Sequence, residues 1–175
     1  MNTSDFSNIS MNGRMAYSIL CVEKVLVAKY PDDDWSVLSK EMWKATSTYW
    51  DEWGNRFIEI IPEYLFEFDT YEESDFEGIT KDEYDYFVNL LKGRSDVLNQ
   101  LLLKLYELQE VYCYTSIPGN GPKASEIVLD ICNTLEQNSI SLPDISTVAF
   151  SNFSEKDGWG YDFDGESISI ILSHN

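Results

Sequence analysis

Between positions 11 and 30 the apolar residues Met15, Ile19, Val22, Leu26 and Tyr30 return every three or four places, which is one face of an α-helix. Pro31 and the run Asp32-Asp33-Asp34 stop it and open the next, because acids suit a helix N-terminus. A second helix is expected over 34–53. Trp35, Leu38, Met42, Ala45 and Tyr49 form one stripe on it and Trp43, Trp50 and Trp53 another, so it should be covered on two sides. Gly54 is its expected stop. Phe57, Ile61, Leu65 and Phe68 keep helical spacing across Pro62, which forces a kink, or a restart with Pro62 in the first turn. Residues 69–79 read as an acidic loop.

Thr80 and Glu83 then make a capping box for a helix that carries Tyr84, Phe87, Val88 and Leu91 and ends at Gly93. Behind Ser95, the recurrence of Leu98, Leu101, Leu105, Leu108 and Tyr112 marks what reads as the longest helix and the centre of the core. The Gly, Pro and Asn of 116–123 make a loop. Pro122 suits a first helical turn, with Ala124, Ile127, Ile131 and Leu135 facing inward after it. The period changes near the end of the chain. Trp159, Tyr161 and Phe163 alternate with Gly160 and Asp162, Asp164-Gly165 is a turn dipeptide, and Ile168, Ile170 and Leu172 alternate again. That pattern predicts a β-hairpin at 159–172. Residues 147–150 fit either a third strand or a helical turn after Pro143. Residues 1–10 read as a flexible leader. The expected fold is mainly α: one domain over 11–175, a bundle or stacked-helix array of about six helices closed by a short C-terminal β-hairpin.

Charge changes the picture more than length does. The 175 residues hold 31 acids against 12 Lys and Arg, a net charge of −19. With 43% hydrophobic and 14% aromatic residues, the chain has material for a core and is no disordered acidic tail. Binding to nucleic acid through phosphates needs clustered Lys and Arg, so direct nucleic-acid binding is excluded, as is attraction to anionic membranes. No apolar run approaches the roughly 20 residues that span a bilayer, and the polar start has no basic, then apolar, signal-peptide pattern. The chain reads as cytoplasmic. Cys21, Cys113 and Cys132 lie far apart and read as free thiols without the close spacing of a zinc site.

The sequence carries no recognisable catalytic apparatus. The single histidine, His174, stands next to the last residue, and no HExxH pattern occurs. The 119–123 stretch does not fit a P-loop, and in Asp162-Phe163-Asp164-Gly165 the glycine comes too early for an EF-hand. No catalytic residue, cofactor or metal is therefore expected. What stands out is the placement of the acids. Positions 59–85 hold eleven acids against Lys81, a net −10, and 155–166 hold five against Lys156, a net −4. Aromatic residues are interleaved with both. The bland reading is a solvated face. The sharper one is a surface for a basic protein partner, steered by charge and anchored by aromatic rings. Its candidate residues are Asp69, Tyr71, Glu72, Glu73, Asp75, Phe76 and Glu77, supported by Trp159, Tyr161, Asp162 and Asp164.

The stretches TYWDEWGNRFIEIIPEYL at 48–65 and GWGYDFDG at 158–165, in a small, very acidic, aromatic-rich chain, resemble bacterial immunity proteins of contact-dependent or polymorphic toxin systems. The resemblance implies an inhibitor that binds a cognate toxin, often a nuclease with a basic active site, and occludes it. The alternatives are an acidic adaptor or nucleic-acid mimic, and a hydrolase working through carboxylates. On the fold, Leu101→Ala or Leu105→Ala should each lower stability by about 2–5 kcal/mol in thermal or denaturant unfolding. A loss below about 1 kcal/mol for both would place this face outside the core.

Overall fold

The structure, a computed structural model, describes residues 1–173, so His174 lies outside the described residues. Among these residues the chain forms seven α-helices: α1 (Met11–Lys29), α2 (Ser36–Trp43), α3 (Trp50–Phe57), α4 (Pro62–Leu65), α5 (Lys81–Leu91), α6 (Asp96–Glu110) and α7 (Pro122–Gln137). The mainly α expectation holds. No sheet forms among the described residues, where the one β-bridge pairs Ile9 with Asn152.

The longest helix is α1, at 19 residues, and not α6, at 15. The stripe of α6 is conspicuous because its outer face is polar, and Leu98, Leu101, Leu105 and Leu108 are indeed fully buried. In α1 every residue from Met11 to Val22 is buried, because α2, α6, α7 and a 3-10 turn at Ile145–Val148 surround it. A helix enclosed on all sides loses its amphipathic signal.

Two charges are buried in this central helix. Arg14 donates to the carbonyls of Phe6 (2.9 Å), Asn120 (2.6 Å) and Gly121 (2.8 Å), and its guanidinium sits over the Phe153 ring. Burial pulls it down to about 10, so it stays protonated at neutral pH. The Glu23 carboxylate accepts from Trp43 Nε1 (2.9 Å), Ser169 Oγ (2.6 Å), the Ile170 amide (2.7 Å) and Ser39 Oγ. Neither charge forms a salt bridge among the described residues; neutral groups hold both, though the Arg14 Nε is buried without a partner, and a buried charge needs such bonds.

The expected hairpin at 159–172 does not form. Its backbone groups are bonded elsewhere. The Phe163 amide donates to the Thr46 carbonyl (3.0 Å), Thr46 Oγ1 donates back to Phe163 O (2.9 Å), and Ile170 bonds Glu23. Asp164 caps a 3-10 turn at Gly165–Ile168 rather than starting a two-residue hairpin turn. Gly165 lies so close to Trp43 that a Cβ would meet the indole at 2.1 Å. The alternation that suggested strands is the imprint of an extended segment packed on helices.

Three further expectations change. The helix over 34–53 breaks after Trp43, in a 3-10 turn at Lys44–Thr46 and a non-helical link before α3. Thr46 Oγ1 bonds the Trp43 carbonyl, the kind of local side-chain bond that competes with helix. Gly54 is not a stop but lies inside α3, buried against Gln109. Residues 1–10 are not loose: Phe6 and Ile9 join the core, and Ser10 caps α1. Of the two options at Pro62, the restart is the one taken, with Ile61 extended ahead of the proline. Residues 147–150 lie at the end of a 3-10 turn, so the helical alternative holds there.

Glu23→Ala would leave the Trp43 indole, two serine hydroxyls and the Ile170 amide without their acceptor. It should cost about 3 kcal/mol or more. Denaturant unfolding measures the loss, and hydrogen exchange should rise first at 169–172.

Candidate functional site

The segment 69–79 is a loop with one 3-10 turn at Tyr71–Glu73. Asp69, Glu72, Glu73, Asp75 and Glu77 are all exposed on it. Tyr71 and Phe76 are half-buried. They pack on Tyr84, with centroids 5.8 and 6.0 Å away, and Phe76 also meets Phe68 edge-on at 6.2 Å. Tyr71 Oη donates to the Ile79 carbonyl (3.1 Å). The two rings hold the loop down more than they reach outward.

Other acids of the same stretch face inward. Glu59 accepts from three successive amides, Glu77 (2.9 Å), Gly78 (2.9 Å) and Ile79 (3.0 Å). Arg56 of α3 bridges Glu41 (2.9 Å) and Glu83 (2.7 Å) and donates to the Gly78 carbonyl. Its guanidinium, with the Thr80 cap, holds the Glu83 carboxyl down at about 2. Burial pushes Glu41 up, but Arg56 and Lys44 outweigh that and leave it below the ordinary range. Three carboxylates are thus structural, and the exposed five ride on a loop they fix. Of those five, Glu72 pairs with Lys81 at 2.6 Å on the surface.

The second expected segment lies elsewhere. Trp159 is half-buried and meets Trp50 edge to face, with centroids 5.0 Å apart at 87°. Tyr161, Asp162 and Asp164 are exposed, and Asp164 is spent on its cap. Trp50 begins α3 and Glu59 follows its end, so the two segments are tied to opposite ends of this helix. At 1.5 Å per residue that is a separation of about 13 Å. They do not form one surface patch by direct contact.

Around Trp159 the structure does form a groove, of roughly 630 Å³. One wall is 47–52, with Tyr49, Trp50, Asp51 and Glu52; another is Cys113 and Tyr114; the third is Lys156, Trp159, Gly160 and Asp162. Asn12, at the start of α1, sets the geometry. Its Oδ1 accepts from Trp50 Nε1 (3.1 Å), its Nδ2 donates to the Tyr161 carbonyl (3.3 Å), and its amide donates to the Trp159 carbonyl (3.0 Å). Gly160 has φ +79 and lies on Ser10, where a Cβ would come within 2.2 Å of the hydroxyl oxygen, so only glycine lets this wall close on α1.

Tyr49 is 82% and Tyr114 88% exposed, unusual for large rings. Tyr114 (φ 61), Lys156 (φ 44) and Asp157 (φ 55) are held in the left-handed region. That strain costs on the order of 1 kcal/mol or more for each residue. The Asp51 charge pushes the Tyr114 phenol up. Burial pushes the Cys113 thiol up as well, so it stays protonated and is a poor nucleophile. Among the described residues no cluster of His, Cys, Asp and Glu is arranged to hold a metal ion. Aromatic faces and carboxylates equip the groove for binding cationic groups.

Sequence reasoning placed Trp159 and Asp162 on a candidate surface but assigned Tyr49 and Trp50 to core stripes, and it gave Asn12, Asp51 and Tyr114 no functional role. No signal in the sequence joins these residues. Set against known proteins, the chain matches no family model, no curated protein and no solved structure.

Arg56→Met should free the acidic loop and cost about 2 kcal/mol, less than a fully buried pair because these groups are partly solvated. The Glu83 carboxyl is depressed in the fold, so its stabilisation is complete above the ordinary glutamate range and drains as pH falls toward about 2. Denaturant unfolding of the wild type between about pH 5 and pH 2 should show that loss, and the variant should show a shallower one.

Proposed function

We propose that this chain is an inhibitor of the immunity-protein type, which binds a basic partner protein, a cognate toxin domain such as a nuclease, and neutralises it by covering its active site. The observation that carries the reading is the acidic loop. Five exposed carboxylates stand on a segment fixed from beneath by Glu59, Arg56 and Glu83. A loop ordered in advance loses little entropy on binding, so its charge is available for association rather than for folding. Its carboxylates would stand where substrate phosphates stand in a basic active site. A net charge of −19 steers a basic partner and repels nucleic acid. No helix among the described residues is long and apolar enough to cross a membrane. Three free thiols fit the reducing cytoplasm as the place of action.

The partner is obtained by affinity capture from the native host. The variant Glu72→Lys/Glu73→Lys/Asp75→Lys should then bind it with an on-rate lower by about tenfold or more at low salt, with the gap narrowing as salt rises. Inhibition of the partner should weaken in parallel, and circular dichroism should be unchanged. An unaltered on-rate and unaltered inhibition in the folded variant would reduce the loop to a solvated face.

A further inference from the structure

We infer that the groove at the N-terminal end of α3 is a receptor for one arginine side chain, presented by a loop of the basic partner. The inference rests on the proposed function and adds a second contact to it, at the other end of α3 from the acidic loop.

The lining chemistry selects a planar cation. The paired indoles of Trp50 and Trp159 and the exposed rings of Tyr49 and Tyr114 supply π faces and edges, and Asp51, Glu52 and Asp162 supply charge. A guanidinium can stack on a ring and bond a carboxylate in a fork at the same time, which an ammonium cannot. The molecule already sets a cation between a ring and a carboxylate here, as a point charge without the fork. Lys156, the one cation among the lining residues, holds its ammonium 5.3 Å over the Tyr161 ring and 3.5 Å from Asp162. Both Lys156 and Asp162 are exposed, so this internal pair is weak and easily exchanged for a partner's cation.

The site is also held ready. Asn12 fixes Trp50 and the 159–161 wall through three hydrogen bonds, and it is itself buried at 5% exposure. Left-handed backbone at Tyr114 and Lys156 sets where two of the groove's exposed side chains stand, at a conformational cost. The volume, roughly 630 Å³, is ample for an arginine with its flanking backbone.

The indoles provide the readout. Trp35, Trp43 and Trp53 are only 2–3% exposed, while Trp50 and Trp159 line the groove. Full-length protein labelled with ¹⁵N is titrated with the capped tripeptide Gly-Arg-Gly, with Gly-Lys-Gly, and with the citrulline tripeptide, which keeps the shape of arginine and removes its charge. Saturable shifts are expected at the Trp50 and Trp159 indoles with the arginine peptide, and affinity about tenfold lower for citrulline. Tyr114→Ala and Asp162→Asn, each checked for fold by circular dichroism, should abolish the response. Equal affinity for the lysine or the citrulline peptide, shifts confined to 69–79, or none up to the solubility of the arginine peptide would overturn the assignment. The captured partner separates this from the wider reading. If Tyr114→Ala leaves partner binding and inhibition intact while the charge reversal in the acidic loop destroys them, the groove assignment fails and the inhibitor reading stands. If neither variant affects the partner, both fail.

Discussion

A charge taken out of water must find partners, and α1 carries two that meet this demand with neutral groups. Arg14 and Glu23 are both fully buried, and neither forms a salt bridge among the described residues. Each gathers polar groups from segments that lack regular structure of their own. Arg14 collects carbonyls from the first residues and from the loop before α7. Glu23 collects donors from α2 and from the end of the chain. Removing either would leave several buried groups unpaired at once, so these two side chains fix the path of segments that helix packing alone would leave free. Asn12, one turn or less from Arg14, does the same on a smaller scale for the groove.

The excess of acid is handled in several ways. Some carboxylates are built in: Glu23, Glu41, Glu59 and Glu83 each accept hydrogen bonds that position another part of the chain. Others cap turns at the surface, as Asp34, Asp144 and Asp164 do, or pair with a cation, as Asp33 does with Arg94, and most of the remainder is left in solvent. This division explains how a chain of net charge −19 can hold a negatively charged loop in one shape. Arg56, among 12 basic residues, has an influence out of proportion to its number, since it joins α2, the acidic loop and α5.

Amphipathic helices with clear caps were legible in the sequence. The Thr80–Glu83 capping box, the leucine stripe of α6 and Pro122 opening α7 all appear where the pattern put them. α1 was legible as a helix over 11–30, but its enclosure hid that it, and not α6, is the longest helix and the centre of the core. Segments whose pattern imitates another structure were not legible. Trp159, Tyr161 and Phe163 alternate as a strand does, yet Phe163 exchanges hydrogen bonds with Thr46 instead of with a neighbouring strand. The acidic loop was found because charge density is a property of the sequence. The groove was missed in large part, since three separated segments build it and Tyr114 owes its exposure to a backbone angle that no residue type announces.

The hydrogen bonds that complete α1 also set the order in which the protein can be made. Ser10 bonds Ser151 across 141 positions, and Glu23 bonds Ile170 across 147. A nascent chain emerging from the ribosome therefore presents its central helix first and the groups that satisfy it last. Until residues near 170 have been synthesised, Glu23 remains a carboxylate that must stay hydrated, and α1 cannot be closed over. Contacts this distant in sequence make folding slow compared with that of a bundle of local hairpins. Until those contacts close, the partly made chain carries apolar helix faces uncovered, a state prone to aggregation.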